Sequence, residues 1–163
     1  MEGGSFTYLC IWADLFSRRI VGWQIEENME QSLVISALEK GLQTRNPAQG
    51  LILHSDRGGQ YVSKALRKII KKWRCRQSMS RANNCYDNAL AESLFSRFKA
   101  ELLLIVENGT FLNIEDARTE IFEYIEMYYN GRRRHSVLGY QTPSQFEEKY
   151  YQSSISTASS VSH

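Results

Sequence analysis

The sequence has few cysteines and no pattern among them. Cys10, Cys75 and Cys85 are odd in number and none stands in a C-x-x-C pair, which argues against a disulfide framework and against a zinc knuckle. They read as reduced, structural thiols. Long hydrophobic runs are missing too: no stretch approaches the roughly 20 consecutive apolar residues of a membrane span. The opening MEGGSFTYLC has no basic segment of the secretory type. A soluble, cytoplasmic protein with no membrane partner is expected. No internal repeat is visible.

Negative charge is absent over a long interval. Between Asp56 and Asp87 there is no carboxylate, whereas Arg57, Lys64, Arg67, Lys68, Lys71, Lys72, Arg74, Arg76 and Arg81 supply nine positive charges. The net charge of +2 conceals this. A second basic cluster, GRRRH, spans 131–135. One-signed stretches attract polyanions; the competing readings are a solvated helix face and a helix C-terminus whose dipole favours cations. The end of the chain, QSSISTASSVSH, has no Asp, Glu, Lys or Arg, so residues 151–163 are expected to be a disordered tail.

What is present suffices for one ordinary domain: 163 residues, 42% of them hydrophobic. FTYLCIWADLF (6–16) is apolar on both alternating faces and reads as a buried strand. RRIVGWQI (18–25) follows a short break at Ser17 and suggests an antiparallel hairpin. Residues 32–43 place Leu33, Val34, Ala37, Leu38 and Leu42 on one helical face, GLILHS (50–55) is a short strand, and CRQSMS (75–80) is a candidate strand. Over 64–74, Leu66, Ile69, Ile70 and Trp73 form an apolar stripe with lysines opposite and Ser63 placed as N-cap. Further helices are expected over about 88–104 with Asp87 as N-cap, over about 114–130, and within 141–150. Strands and helices in this order predict an α/β fold with a mixed sheet.

Two acids carry the chemical interest. Asp56 ends a strand and precedes Gly58 and Gly59, which allow a tight turn and the close approach of a ligand; the alternative is a loop acid that bonds a nearby amide or caps the next helix. On the helix 88–104, Ala91, Leu94, Phe95, Phe98 and Leu102 face a core, while Asn88, Glu92, Ser96 and Lys99 form a polar stripe. A strand-end Asp and a helix Glu can converge on a divalent cation through oxygen ligands, and paired cations so held support phosphodiester chemistry. Lys99 would then hold the substrate backbone. A lone Glu on a helix is ordinarily just solvated.

HSDRGGQY, the D-x35-E spacing to Glu92 in NCYDNALAESLFSRFKAEL, DLFSRRIVGW and the terminal YNGRRRHSVLGYQTPSQFE together resemble the integrase core of bacterial insertion-sequence transposases of the IS3 type, a group related to retroviral integrases. The resemblance runs from about Tyr8 to Tyr150 in four blocks in the right order. It implies a ribonuclease-H-like fold, a mixed sheet flanked by helices, and a DDE active site using Mg2+ or Mn2+. The implied activity is cutting at element ends and joining the freed 3′-hydroxyl to target DNA. Asp56 matches the second catalytic Asp and Glu92 the catalytic Glu, both metal ligands; Lys99, Arg57, Arg81, Asn83 and Arg134 become candidate DNA contacts. The implied partners are DNA and either a homo-oligomer or a fusion with an upstream-frame product, in a bacterial cytoplasm at the nucleoid.

In such relatives the first catalytic Asp lies in a DITYI-like segment on a strand that would fall upstream of Met1. Residues 1–150 are therefore expected to be a core lacking its N-terminal segment, with the first strand missing or incomplete and catalysis impaired. The alternative is a non-catalytic remnant that binds DNA or a full-length protomer. Asp14 matches the acid of the DLFSRR block and reads as a turn residue bonding Ser17 or nearby amides. His54 reads as structural, and intramolecular pairing competes with DNA for Arg132, Arg133, Arg134 and His135.

Overall fold

The computed structural model describes residues 7–79, 89–105 and 111–160. The chain gathers into two compact units, Met1–Trp12 with Val21–Arg118 and Ala13–Ile20 with Thr119–His163.

In the first unit β1 (Tyr8–Ala13) pairs with β2 (Ile20–Glu26). The link over 14–19 is far too short for a parallel crossover, so this is the antiparallel hairpin expected. The helix α1 (Gln31–Arg45) lies against β2 at Gly22: a Cβ there would overlap the Ala37 carbonyl oxygen and come within 2.8 Å of the Gly41 nitrogen. The stripe read from the sequence is the one buried, with Leu33, Val34, Ala37, Leu38 and Leu42 all in the core. Asn46 ends the helix in the left-handed region, φ 40°, its N–H donating to the Leu42 carbonyl at 2.8 Å.

A parallel pair follows. β3 (Ile52–Ser55) runs beside β4 (Arg76–Met79) in the register Leu53↔Gln77 and His54↔Ser78. The crossover holds α2 (Lys64–Lys72), and the Ser63 hydroxyl accepts the Leu66 N–H at 3.2 Å, the cap the sequence predicts. Leu66 and Ile70 turn inward to join Cys10, Leu53 and the α1 stripe in one cluster, with Tyr8, Trp12, Tyr61, Ile69 and Trp73 packed around it. The antiparallel and the parallel pair supply the mixed strand directions expected, as two two-stranded sheets. On α3 (Ala89–Ile105), Phe98 and Leu102 are buried as predicted, but Phe95 is 41% exposed.

The helix α4 (Ile114–Phe122) leads into the second unit and widens into a π-helix over Glu123–Tyr129, where the Asn130 N–H reaches back five residues to the Ile125 carbonyl at 2.9 Å. Asn130, 1% exposed, accepts the Ile20 N–H through Oδ1 and donates Nδ2 to the Ile20 carbonyl, each at 3.0 Å. Arg19 donates to the largely buried Glu147 at 3.2 Å, and Phe16 meets the rings of Phe146 and Tyr150 edge-on, each at 5.0 Å. Thr142 and Gln145 exchange backbone-to-side-chain bonds at 3.1 and 3.2 Å, a capping box that starts α5 (Pro143–Ser160) with proline in its first turn.

Here the expected disordered tail is corrected: α5 continues through 151–160. The lack of charge misled, since the capping box begins a helix whose later turns need no charge, and the Ser153 and Ser154 hydroxyls return to the Tyr150 carbonyl at 2.7 and 2.9 Å. Among the described residues no helix is long and apolar enough to cross a membrane.

Candidate catalytic site

Asp56 is the first residue beyond β3 and is exposed. Its Oδ1 accepts the Gly58 N–H at 2.8 Å, so the loop-amide role foreseen for this acid is real. It uses one carboxylate oxygen and fixes the direction of the exposed group. Gly58 is also where a side chain would interfere: a Cβ there would lie 3.0 Å from Asp56 Oδ1 and 3.0 Å from Gln60 Oε1. Upstream, the Ser55 hydroxyl donates to the Asp56 carbonyl at 3.0 Å.

The turn after Asp56 is tied down from two sides. The 3-10 turn Gly59–Val62 brings Tyr61 onto the core, where its ring meets Trp12 edge-on at 6.0 Å. From β4, Gln77 Nε2 donates to the Tyr61 carbonyl at 2.7 Å. Burial above all, then the charges of Cys10 and Asp56, pushes the Tyr61 phenol well above its ordinary value, so it is a neutral hydroxyl at any working pH. Burial raises Cys10 to about 11, against the opposing hydrogen bond with Tyr61. A buried thiol so raised is inert, as expected, and Cys10 and Cys75 are both free. His54 Nδ1 lies 3.1 Å from the Ser78 hydroxyl across the β3–β4 pair, which agrees with its structural reading.

The remaining candidates are placed as follows. Glu92 lies in the first turn of α3 and Lys99 two turns on, both exposed. Arg57 and Arg134 are exposed, whereas Arg133 stacks over the Tyr129 ring at 5.5 Å and reaches the His135 ring at 3.2 Å. Intramolecular pairing thus takes Arg133 and His135. Arg81, Asn83, Cys85 and Asp87 lie outside the described residues. Asp14 is the turn residue expected: its Oδ1 accepts the N–H groups of Phe16 and Ser17 at 2.8 and 3.3 Å. Sequence reasoning missed Gln77 and an open cavity of about 660 Å³ lined by Met29, Glu30, Gln31, Ser32, Gly59 and Gln60; neither carries a local signal, because strand register and loop approach create both.

An exposed carboxylate oriented by an amide and a second exposed carboxylate on a helix are hard oxygen donors, the kind Mg2+ or Mn2+ takes when one or two side chains share it with substrate phosphates. Asp56 and Glu92 fit that requirement in donor type. Among the described residues, three or more His, Cys, Asp or Glu side chains nowhere come together as a ready-made metal group.

With that geometry in place, comparison with known proteins is decisive at the level of family. The integrase core domain family matches residues 1–85, and a second integrase core domain family matches residues 73–143. The chain belongs to the integrase core domain family. It is 40% identical over 141 residues to the transposase for insertion sequence element IS904 of Lactococcus lactis, covering 86% of this chain and 54% of that protein. It is also 40% identical over 142 residues to transposase InsF for insertion sequence IS3A of Escherichia coli, covering 87% of this chain and 48% of that one. This integrase core thus spans about half the length of the curated relatives it matches.

Among solved structures, the simian T-cell lymphotropic virus intasome in complex with a PP2A regulatory subunit matches with a TM-score of 0.66 at 16% identity, over 85% of this chain and 47% of that one. The HTLV-2 integrase catalytic core domain in complex with magnesium matches with a TM-score of 0.55 at 15% identity, over 85% and 82%. The fold is the ribonuclease-H-like fold of retroviral integrase cores, as the family resemblance implies.

Proposed function

We propose that this integrase core serves DNA transposition by metal-dependent phosphodiester cleavage and strand transfer, with Asp56 and Glu92 as ligands for Mg2+ or Mn2+. The observation that carries this reading is the exposed Asp56 carboxylate, oriented by the Gly58 amide. The relatives named as insertion-sequence transposases and the magnesium complex of the HTLV-2 core support it. When bound, the cation supplies the charge that activates an attacking hydroxyl and stabilises the leaving oxygen. The chain's own residues do the rest. Asp56 is held in one orientation by Gly58 and by a turn anchored at Tyr61 and Gln77, the positioning that strand transfer requires. Lys99, Arg57, Arg81, Asn83 and Arg134 contact the DNA backbone, and the working form is a homo-oligomer on element ends and target.

A second reading keeps the DNA and drops the chemistry. Among the described residues no three acids come together as a metal group, and on this reading the chain binds DNA or a longer transposase protomer without cutting.

The test is Mn2+-dependent joining of oligonucleotides carrying free 3′-hydroxyls, with Asp56→Asn and Glu92→Gln alongside and the Mn2+-induced shift in melting temperature as a binding readout. A Mn2+-induced shift present in the parent and lost in both variants is the expected result, and whatever joining the parent performs should be lost with it. A shift unchanged in either variant overturns the metal assignment, and a folded parent that binds DNA but never joins it favours the second reading.

A further inference from the structure

The helix α2 carries cations far in excess of anything the Asp56 site requires. Lys64, Arg67, Lys68, Lys71 and Lys72 are all exposed, while Leu66 and Ile70 are buried on the opposite side. At 100° per residue the five cations fall within an arc of about 140°. Arg74 and Arg76, also exposed, continue the positive charge onto β4, and no carboxylate intervenes in the sequence.

This is a poor way to build a stable helix. Lys64 stands in the first turn, where a cation opposes the helix dipole, and no acidic residue offsets it there. Lys64 with Lys68, Arg67 with Lys71 and Lys68 with Lys72 are like charges four apart, each pair destabilising. Leu66, Ile70 and the Ser63 cap hold the helix in spite of its surface. Local stability does not account for the stripe; a polyanion that relieves the repulsion does.

We infer that the exposed basic face of α2 is a second nucleic-acid-binding surface, which grips the phosphate backbone of duplex DNA without reading its sequence. The dimensions agree. From Lys64 to Lys72 the helix rises about 12 Å, the length over which one strand of B-form DNA presents about three to four phosphates. Lysine suits the task, being a flexible point charge rather than a fixed fork. The competing occupant is an acidic protein face, such as the exposed Glu123 and Glu126 of a second copy. Duplex DNA is favoured because five exposed cations share one helical face with no carboxylate among them, as a repeating row of phosphates requires.

The inference takes its partner class from the DNA reading above but needs neither metal nor catalysis, and its test is built accordingly. Binding of the full chain to a 30-base-pair duplex of arbitrary sequence is followed by fluorescence anisotropy in EDTA across a range of KCl concentrations. The triple variant Lys64→Gln, Lys68→Gln, Lys71→Gln is expected to flatten the log–log salt dependence by about 2.7, three phosphate contacts at about 0.9 each, which is roughly a 500-fold loss at 0.1 M salt for lines that meet at 1 M. Its melting temperature without DNA is expected to equal or exceed that of the parent, since repulsion has been removed. Lys149→Gln, exposed on α5, is the charge control and should change the slope by no more than one contact. An unchanged slope in a triple variant that melts normally overturns the inference. So does loss of a parent dimer with DNA binding intact, which would hand the face to the acidic helix of a second copy. A normal slope with no strand transfer would sink the catalytic proposal and leave this one standing.

Discussion

Gly58 and Asp56 are locked together by a 2.8 Å hydrogen bond in a turn where any side chain on Gly58 would press on the carboxylate it orients. The backbone of Gly58, φ −53°, is ordinary for any residue, so the requirement is for space. Gly58→Ala should therefore fold and melt close to the parent while displacing Asp56 by a few tenths of an ångström. Strand transfer is expected to fall by about threefold to tenfold, since a misplacement of about 1 Å costs on the order of a hundredfold. Full activity in a well-folded Gly58→Ala protein would mean that the Gly58 bond does not set the working geometry.

Asp14 offers the opposite contrast. Its carboxylate serves the Phe16 and Ser17 amides at the hairpin tip, so Asp14→Ala should cost about 1 kcal/mol of stability and leave the Mn2+-induced melting shift intact. Loss of the shift with stability preserved would make Asp14 a ligand.

Asn130 is bonded at both ends to the backbone of Ile20, and its removal strands a buried N–H and a buried carbonyl. Asn130→Ala is expected to destabilise the protein by about 2–4 kcal/mol, read from urea denaturation. A loss below about 0.5 kcal/mol, the size of an ordinary surface change, would show that these bonds do not survive in solution.

The buried Cys10 thiol links stability to alkaline pH. In the folded chain it titrates at about 11 against an ordinary 9.0, so above pH 9 the unfolded chain loses a proton that the folded chain keeps. The stabilisation is complete below that pH and is lost as pH rises through the interval, by about 2–3 kcal/mol in all. Urea midpoints at pH 8.5 and 10.5 should fall further apart for the parent than for Cys10→Ala. Equal falls would remove Cys10 from the linkage.

Legibility followed the range of the interactions. The α2 stripe and its Ser63 cap, the α1 core face and the Asp14 turn depend on neighbours within a few residues, and each could be read from the sequence. Phe95 has the spacing of a core residue but is 41% exposed, because periodicity gives a helix face without saying how wide a partner covers it. Asn130 reads locally as the end of a helix, whereas its two bonds span 110 residues and depend on a π-turn that no local pattern announces. At the candidate site, Asp56 and Glu92 stand out as chemistry-bearing residues, but Gln77 enters only through the β3–β4 register, which no single stretch encodes.

The second unit is assembled from Ala13–Ile20 and Thr119–His163, two stretches separated in the sequence by Val21–Arg118 of the first. A gene cut before Thr119 would therefore not yield two independent products. The downstream piece would carry an Asn130 carboxamide whose backbone partner, Ile20, had been left on the other polypeptide. The upstream piece would carry a hairpin tip with no Glu147 for its Arg19. Rescue of the split protein would have to come from reassembly of the two fragments in trans, and the β1–β2 hairpin is the segment through which they would recognise each other.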